Sequence, residues 1–137
     1  MLRWLVIYLL LSTVLVGCSG GRGEAVCGIN FFLKAEPTQM APDETFRLRG
    51  GPFFVGCHDQ GQAQPEPPDR DIRISFQQGG RTWELATVAA SGEEDNYTFE
   101  AELKVPSDAE PGPAVVIASG DNGTAKDRIR VVSDTSR

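Results

Sequence analysis

The chain is expected to be all-β: a single sandwich of two sheets and about seven strands. Three observations lead there. Beyond Val26 apolar residues recur with period two, the strand period, and no stretch holds a 3.6-residue period. Clusters of Gly, Pro, Asn and Asp separate the periodic runs at short intervals. The folded part, roughly 110 residues, is the size of one domain with one core.

The N-terminus is organised differently. Met1-Leu2-Arg3 supplies a basic start, and Trp4 to Val16 is almost wholly apolar. That run is shorter than the roughly 20 residues needed to span a bilayer, but it has the length of an export signal. It ends at Leu15-Val16-Gly17-Cys18. The following Ser-Gly-Gly-Arg-Gly-Glu-Ala reads as a flexible tether with an r.m.s. reach of about 15 Å. The expected organisation is therefore a signal over 1–17, a tether over 18–25 and a folded domain over 26–137.

Strands are expected at about 28–35, 44–50, 71–77, 81–90, 96–105, 113–119 and 126–133. The clearest pattern is Tyr97 to Val105, where every odd position is apolar and every even one polar. Phe46 and Leu48 alternate with Arg47 and Arg49, and Ile72, Ile74 and Phe76 with Arg73 and Ser75. Trp83 and Leu85 flank Glu84, and Ile129 and Val131 bracket Arg130. Ala114 to Ala118 is continuously apolar, the pattern of a strand covered on both faces. Turns are expected at Pro42-Asp43, Gly79-Gly80, Gly92 to Asn96, Pro111-Gly112 and Asp121-Asn122-Gly123.

The sequence carries two family resemblances. Leu15-Val16-Gly17-Cys18 resembles the lipobox of bacterial lipoproteins. That resemblance implies a diacylglyceryl group on Cys18, cleavage before it, and attachment to the membrane on the exported side. The thiolate is the soft nucleophile such a transfer needs. Persistent anchoring follows from two or more acyl chains, since one alone holds only marginally. Pro37 to Phe53 resembles the opening of bacterial immunoglobulin-like surface domains of the IPT/TIG kind, and Val105 to Val132 resembles their closing strands. Asp43 stands where such domains often carry glycine. A transthyretin-like or carboxypeptidase-regulatory-like sandwich is the alternative.

Three cysteines leave one over in an exported chain, and lipidation of Cys18 accounts for it. Cys27 and Cys57 are then expected to form a disulfide in an oxidising compartment, stabilising the fold by roughly 3 to 4 kcal/mol in the chain-entropy model. The single histidine, His58, adjoins Cys57. Strand neighbours point to opposite faces, so a Cys57/His58 dyad is geometrically awkward. Zinc on Cys27, Cys57, His58 and Asp59 lacks the usual paired ligand spacing. Glu93-Glu94-Asp95 and Asp121-Asn122 read as hairpin turns instead of calcium loops. Phe53, Phe54 and Trp83 read as core.

No catalytic residue, metal site or cofactor is expected. The net charge of -6 argues against nucleic acid as a partner. The aperiodic, Pro-rich stretch from Asp59 to Asp71 is the candidate contact loop, with Gln64, Pro65, Glu66, Pro67 and Pro68 as its binding residues. The expected role is non-catalytic: binding or envelope structure, with an unknown envelope protein or polysaccharide as partner. An accessory module that recruits an envelope enzyme or transporter is the first alternative, and a small hydrolase or metal-dependent enzyme the second.

Overall fold

A computed structural model describes residues 30–56, 66–93 and 96–133. Cys18, Cys27, Cys57, His58, Asp59, Gln64 and Pro65 lie outside the described residues, as do the signal and tether.

Among the described residues there are eight strands and no helix: β1 Phe32–Glu36, β2 Gln39–Met40, β3 Thr45–Gly51, β4 Ile72–Gln78, β5 Arg81–Val88, β6 Phe99–Lys104, β7 Gly112–Gly120 and β8 Gly123–Val131. They form a three-stranded sheet in the order β1-β3-β6 and a five-stranded sheet in the order β2-β8-β7-β4-β5. All pairings are antiparallel except β2 with β8.

The eighth strand is the short β2. After β1 the chain reaches Pro37, which has no N–H to continue a ladder, and crosses to the other sheet. There the Arg130 amide donates to the Thr38 carbonyl at 2.9 Å, and the Val132 amide to Met40 at 3.0 Å. A second link joins the sheets: the Ala35 amide donates to Asp127 Oδ2 on β8 at 2.8 Å.

The pleat sorts the side chains as the alternation implies. Phe46 and Leu48 of β3, Ile72, Ile74 and Phe76 of β4, and Val116 and Ala118 of β7 face a single shared core. Phe46, Phe53 and Phe76 are among its largest fully buried members, each worth about 1.5–3 kcal/mol relative to exposure. Phe53 sits between Phe31 and Phe99, at ring-centre distances of 5.2 and 5.7 Å. Close approach at this point requires glycine, because a Cβ on Gly50 would lie 2.7 Å from Phe99 Cε1 and 2.9 Å from Leu33 Cδ1.

Two local features adjust the ladder. Gly79 and Gly80, with φ of 55° and 79°, make the two-residue turn between β4 and β5. Between Ile74 and Ser75 the register shifts, so that Ala86, not Leu85, lies opposite Ile74. The extra residue bends β5, the outermost strand, as bulges at sheet edges do. Ile117 is only 7% exposed although the alternation turns it away from the core. In register it lies between Ser75 of β4 and Lys126 of β8.

Candidate functional site

Both ends of the Pro-rich loop expected to make contacts are stitched together. Residues 53–55 run antiparallel to 67–69: the Val55 amide donates to the Pro67 carbonyl at 2.9 Å, Asp69 N to Phe53 O at 3.2 Å, and Phe54 bridges Pro68. Of the five residues expected to bind, Glu66, Pro67 and Pro68 are therefore at the loop's exit, with Pro67 exposed and the other two half-buried.

The sequence reading passed over Asp69, the one buried charged residue among those described, at 2% exposure. Its Oδ2 accepts the Asp121 amide at 2.6 Å and its Oδ1 the Asp71 amide at 2.9 Å. Its own carbonyl accepts the Ala90 amide at 2.7 Å. One side chain thus joins the loop exit, the start of β4 and the β7–β8 turn. Gly120 makes room for it, since a Cβ there would stand 2.4 Å from Asp69 Oδ2. Beside this clamp opens a cavity of about 540 Å³ edged by Val55, Asp71, Arg73, Thr87 and Asp121. Val55, 40% exposed, is one of two large apolar side chains among the described residues left in solvent. Asp121 Oδ2 accepts the Gly56 amide at 3.1 Å. The covered amide atoms of Asn122 have no hydrogen-bond partner among the described residues.

At the opposite end, Trp83 packs edge-on against Phe76 at 5.6 Å, and Arg81 lies 4.4 Å over its ring. Asp108 receives Trp83 Nε1–H at 3.1 Å and pairs with the Arg81 guanidinium. The Arg81 hydrogen bond holds the Asp108 carboxyl below the usual aspartate range. Gln78 and the Glu110 backbone exchange two bonds, at 2.6 and 2.9 Å. Trp83 is therefore partly core, as expected, and partly a strut for the β6–β7 loop. A cavity of about 490 Å³ adjoins this end, bordered by Gln77, Arg81, Val115 and Arg128.

The two outer sheet faces differ in their charges. On the three-stranded sheet Lys34 pairs with Glu36 at 2.8 Å, and Glu100 with both Arg47 and Arg49, at 3.2 and 3.4 Å. Mutual hydrogen bonding raises the Lys34 pKa and lowers that of Glu36. On the five-stranded sheet Lys126, Arg128 and Arg130 of β8 and Arg73 of β4 are exposed, and none has an ion pair or side-chain hydrogen bond among the described residues. No group of three or more His, Cys, Asp or Glu side chains among the described residues is placed to hold a metal.

No family model and no curated protein matches the chain. Among solved structures it is similar to Spo0M, a sporulation control protein from Bacillus subtilis, with a TM-score of 0.31 and 13% identity. The match covers 77% of this chain and about half, 49%, of that one.

Proposed function

We propose that this chain is an exported bacterial lipoprotein. In this reading residues 1–17 are the signal, Cys18 carries the lipid, and the sandwich is a non-catalytic binding or envelope-structural module held at the membrane by the 18–25 tether. One observation carries it: the cysteine of Leu15-Val16-Gly17-Cys18 falls where a signal-length apolar run ends.

The strand order supports the immunoglobulin-like form of the sandwich. With β1, β3 and β6 as strands A, B and E, and β4, β5, β7 and β8 as C, C′, F and G, the sheets follow the immunoglobulin-like order without a D strand. The aromatic placement differs, since Trp83 lies on the C′ equivalent. Beside the loop-end cavity both Asp69 oxygens are engaged by backbone amides and so serve architecture, which supports a non-catalytic role for this carboxylate. A Cys27–Cys57 disulfide, the expected state outside the cytosol, would tie the segment before β1 to the loop after β3.

Mass spectrometry of the membrane fraction tests the reading. The mature N-terminal peptide should begin at Cys18 and carry acyl mass, and Cys18→Ser should abolish both. A soluble, unacylated chain would refute the proposal. Non-reducing peptide mapping should link Cys27 to Cys57, and crosslinking in intact cells should then identify the envelope component bound.

A further inference from the structure

We infer that the outer face of the five-stranded sheet is a docking surface for anionic phospholipid headgroups, on which Lys126, Arg128, Arg130 and Arg73 lay the domain against its own membrane. The inference rests on the anchored reading and adds an orientation to it.

Lys126, Arg128 and Arg130 alternate along β8 with Asp127 and Ile129, so the pleat puts all three cations on the outward side. Spaced about 7 Å apart, they form a stripe roughly 14 Å long. Register places Ser119 of β7 beside Arg73 of β4 and opposite Thr124 of β8, so Arg73 belongs to the same face about 10 Å from β8. The only carboxylate within β7 or β8 is Asp127, which is turned the other way and accepts the Ala35 amide. On the same face Glu84 lies three strands from Lys126, in the row Lys126, Ile117, Ser75, Glu84. Asp71 and Asp121 lie at the loop end. Among the described residues the excess of positive charge therefore lies along β8, while Arg73 shares the loop end with Asp71 and Asp121.

Position selects the bilayer as the occupant. A Cβ on Gly123 would lie 2.6 Å from the Phe31 ring, so the chain enters the domain beside the start of β8. Phe31 is thirteen positions after Cys18, so the chain can hold them at most about 45 Å apart. A headgroup plane held that near the stripe needs only weak affinity, because tethering makes the encounter intramolecular. Each cation near an anionic leaflet strengthens association about five-fold.

The three lysines of the chain provide the test, since Lys34 and Lys104 lie on the opposite sheet. The acylated full chain would be reconstituted into phosphatidylcholine vesicles with or without about one-third phosphatidylglycerol, and amine labelling of each lysine followed by mass spectrometry. Anionic vesicles should slow labelling of Lys126 at least about three-fold while leaving Lys34 and Lys104 unchanged. Protection should vanish near 0.5 M salt, where the Debye length is roughly 4 Å, and in the Arg128→Glu, Arg130→Glu double variant, whose substituted side chains are exposed. An acylated Cys18 with equal labelling in both vesicles would overturn the docking and leave the anchor standing. An unacylated Cys18 would overturn both. Protection of Lys126 by soluble polyphosphate on phosphatidylcholine vesicles, with none from phosphatidylglycerol, would overturn the bilayer in favour of a polymeric anion.

Discussion

Replacing Asp69 perturbs a single carboxylate on which three chain segments converge. In Asp69→Ala the amides of Asp71 and Asp121 lose their acceptors at 2.9 and 2.6 Å, in a position 2% exposed where water cannot readily substitute. Bonds from an amide to a charged group are worth about 1.5–3 kcal/mol each, so the variant should lose roughly 3–5 kcal/mol. That is a large share of the 5–15 kcal/mol typical of a domain. Asp69→Asn keeps one oxygen as acceptor but turns an NH₂ toward the other amide, and should lose about 2–3 kcal/mol. Urea denaturation followed by tryptophan fluorescence, with a common slope m, measures both. Hydrogen exchange should show the Asp121 amide opening before the strands do. If Asp69→Ala unfolds within about 1 kcal/mol of the parent, the clamp is not a stabilising element and the reasoning fails.

Three further outcomes are expected. Gly50→Ala should cost about 1–3 kcal/mol by urea denaturation, because the new methyl meets Phe99 and Leu33; Phe99→Leu in the same chain should recover part of the loss. Asp43, at φ 63°, occupies the left-handed region at the Pro42-Asp43 turn, so Asp43→Val should destabilise by about 1–3 kcal/mol while Asp43→Gly should not. The Asp108 pKa is depressed by Arg81. The stabilisation from this pair is therefore present above the ordinary aspartate pKa and is lost as pH falls through the lower folded value. Arg81→Gln should move the Asp108 carboxyl upward in an NMR titration and flatten that acid limb.

Strands whose alternation spans four or more residues could be read directly. β3, β4 and β6 lie where Phe46 to Arg49, Ile72 to Phe76 and Tyr97 to Val105 announced them, because burial on one face leaves a periodic trace. β2 left none: two residues cannot display a period, and pairing with β8 is a tertiary event. At β5 the alternation through Trp83 and Leu85 was right only in part. The bulge sets Ala86 opposite Ile74, a shift fixed by the partner strand. Phe53 and Phe54 are buried as their place beside a Gly-rich corner implied. Asp69 was illegible because its partners are backbone amides, one of them 52 residues away. A backbone amide carries no sequence signature.

Net charge says nothing about where on a fold the charges lie. Along the chain, Lys126-Asp127-Arg128 alternates in sign. Folding into a strand separates those signs across the pleat, and Asp127, turned inward, joins β1 through the Ala35 amide. On the other sheet the register does the opposite, setting Arg47 and Arg49 within reach of Glu100. Such exposed pairs contribute little to stability. Their consequence is electrostatic: charges compensated within a Debye length project almost no field, whereas the β8 stripe has no carboxylate on its own face of β8 or β7. Two faces of one small acidic domain therefore differ in what they can attract, and the difference arises from strand pairing instead of composition.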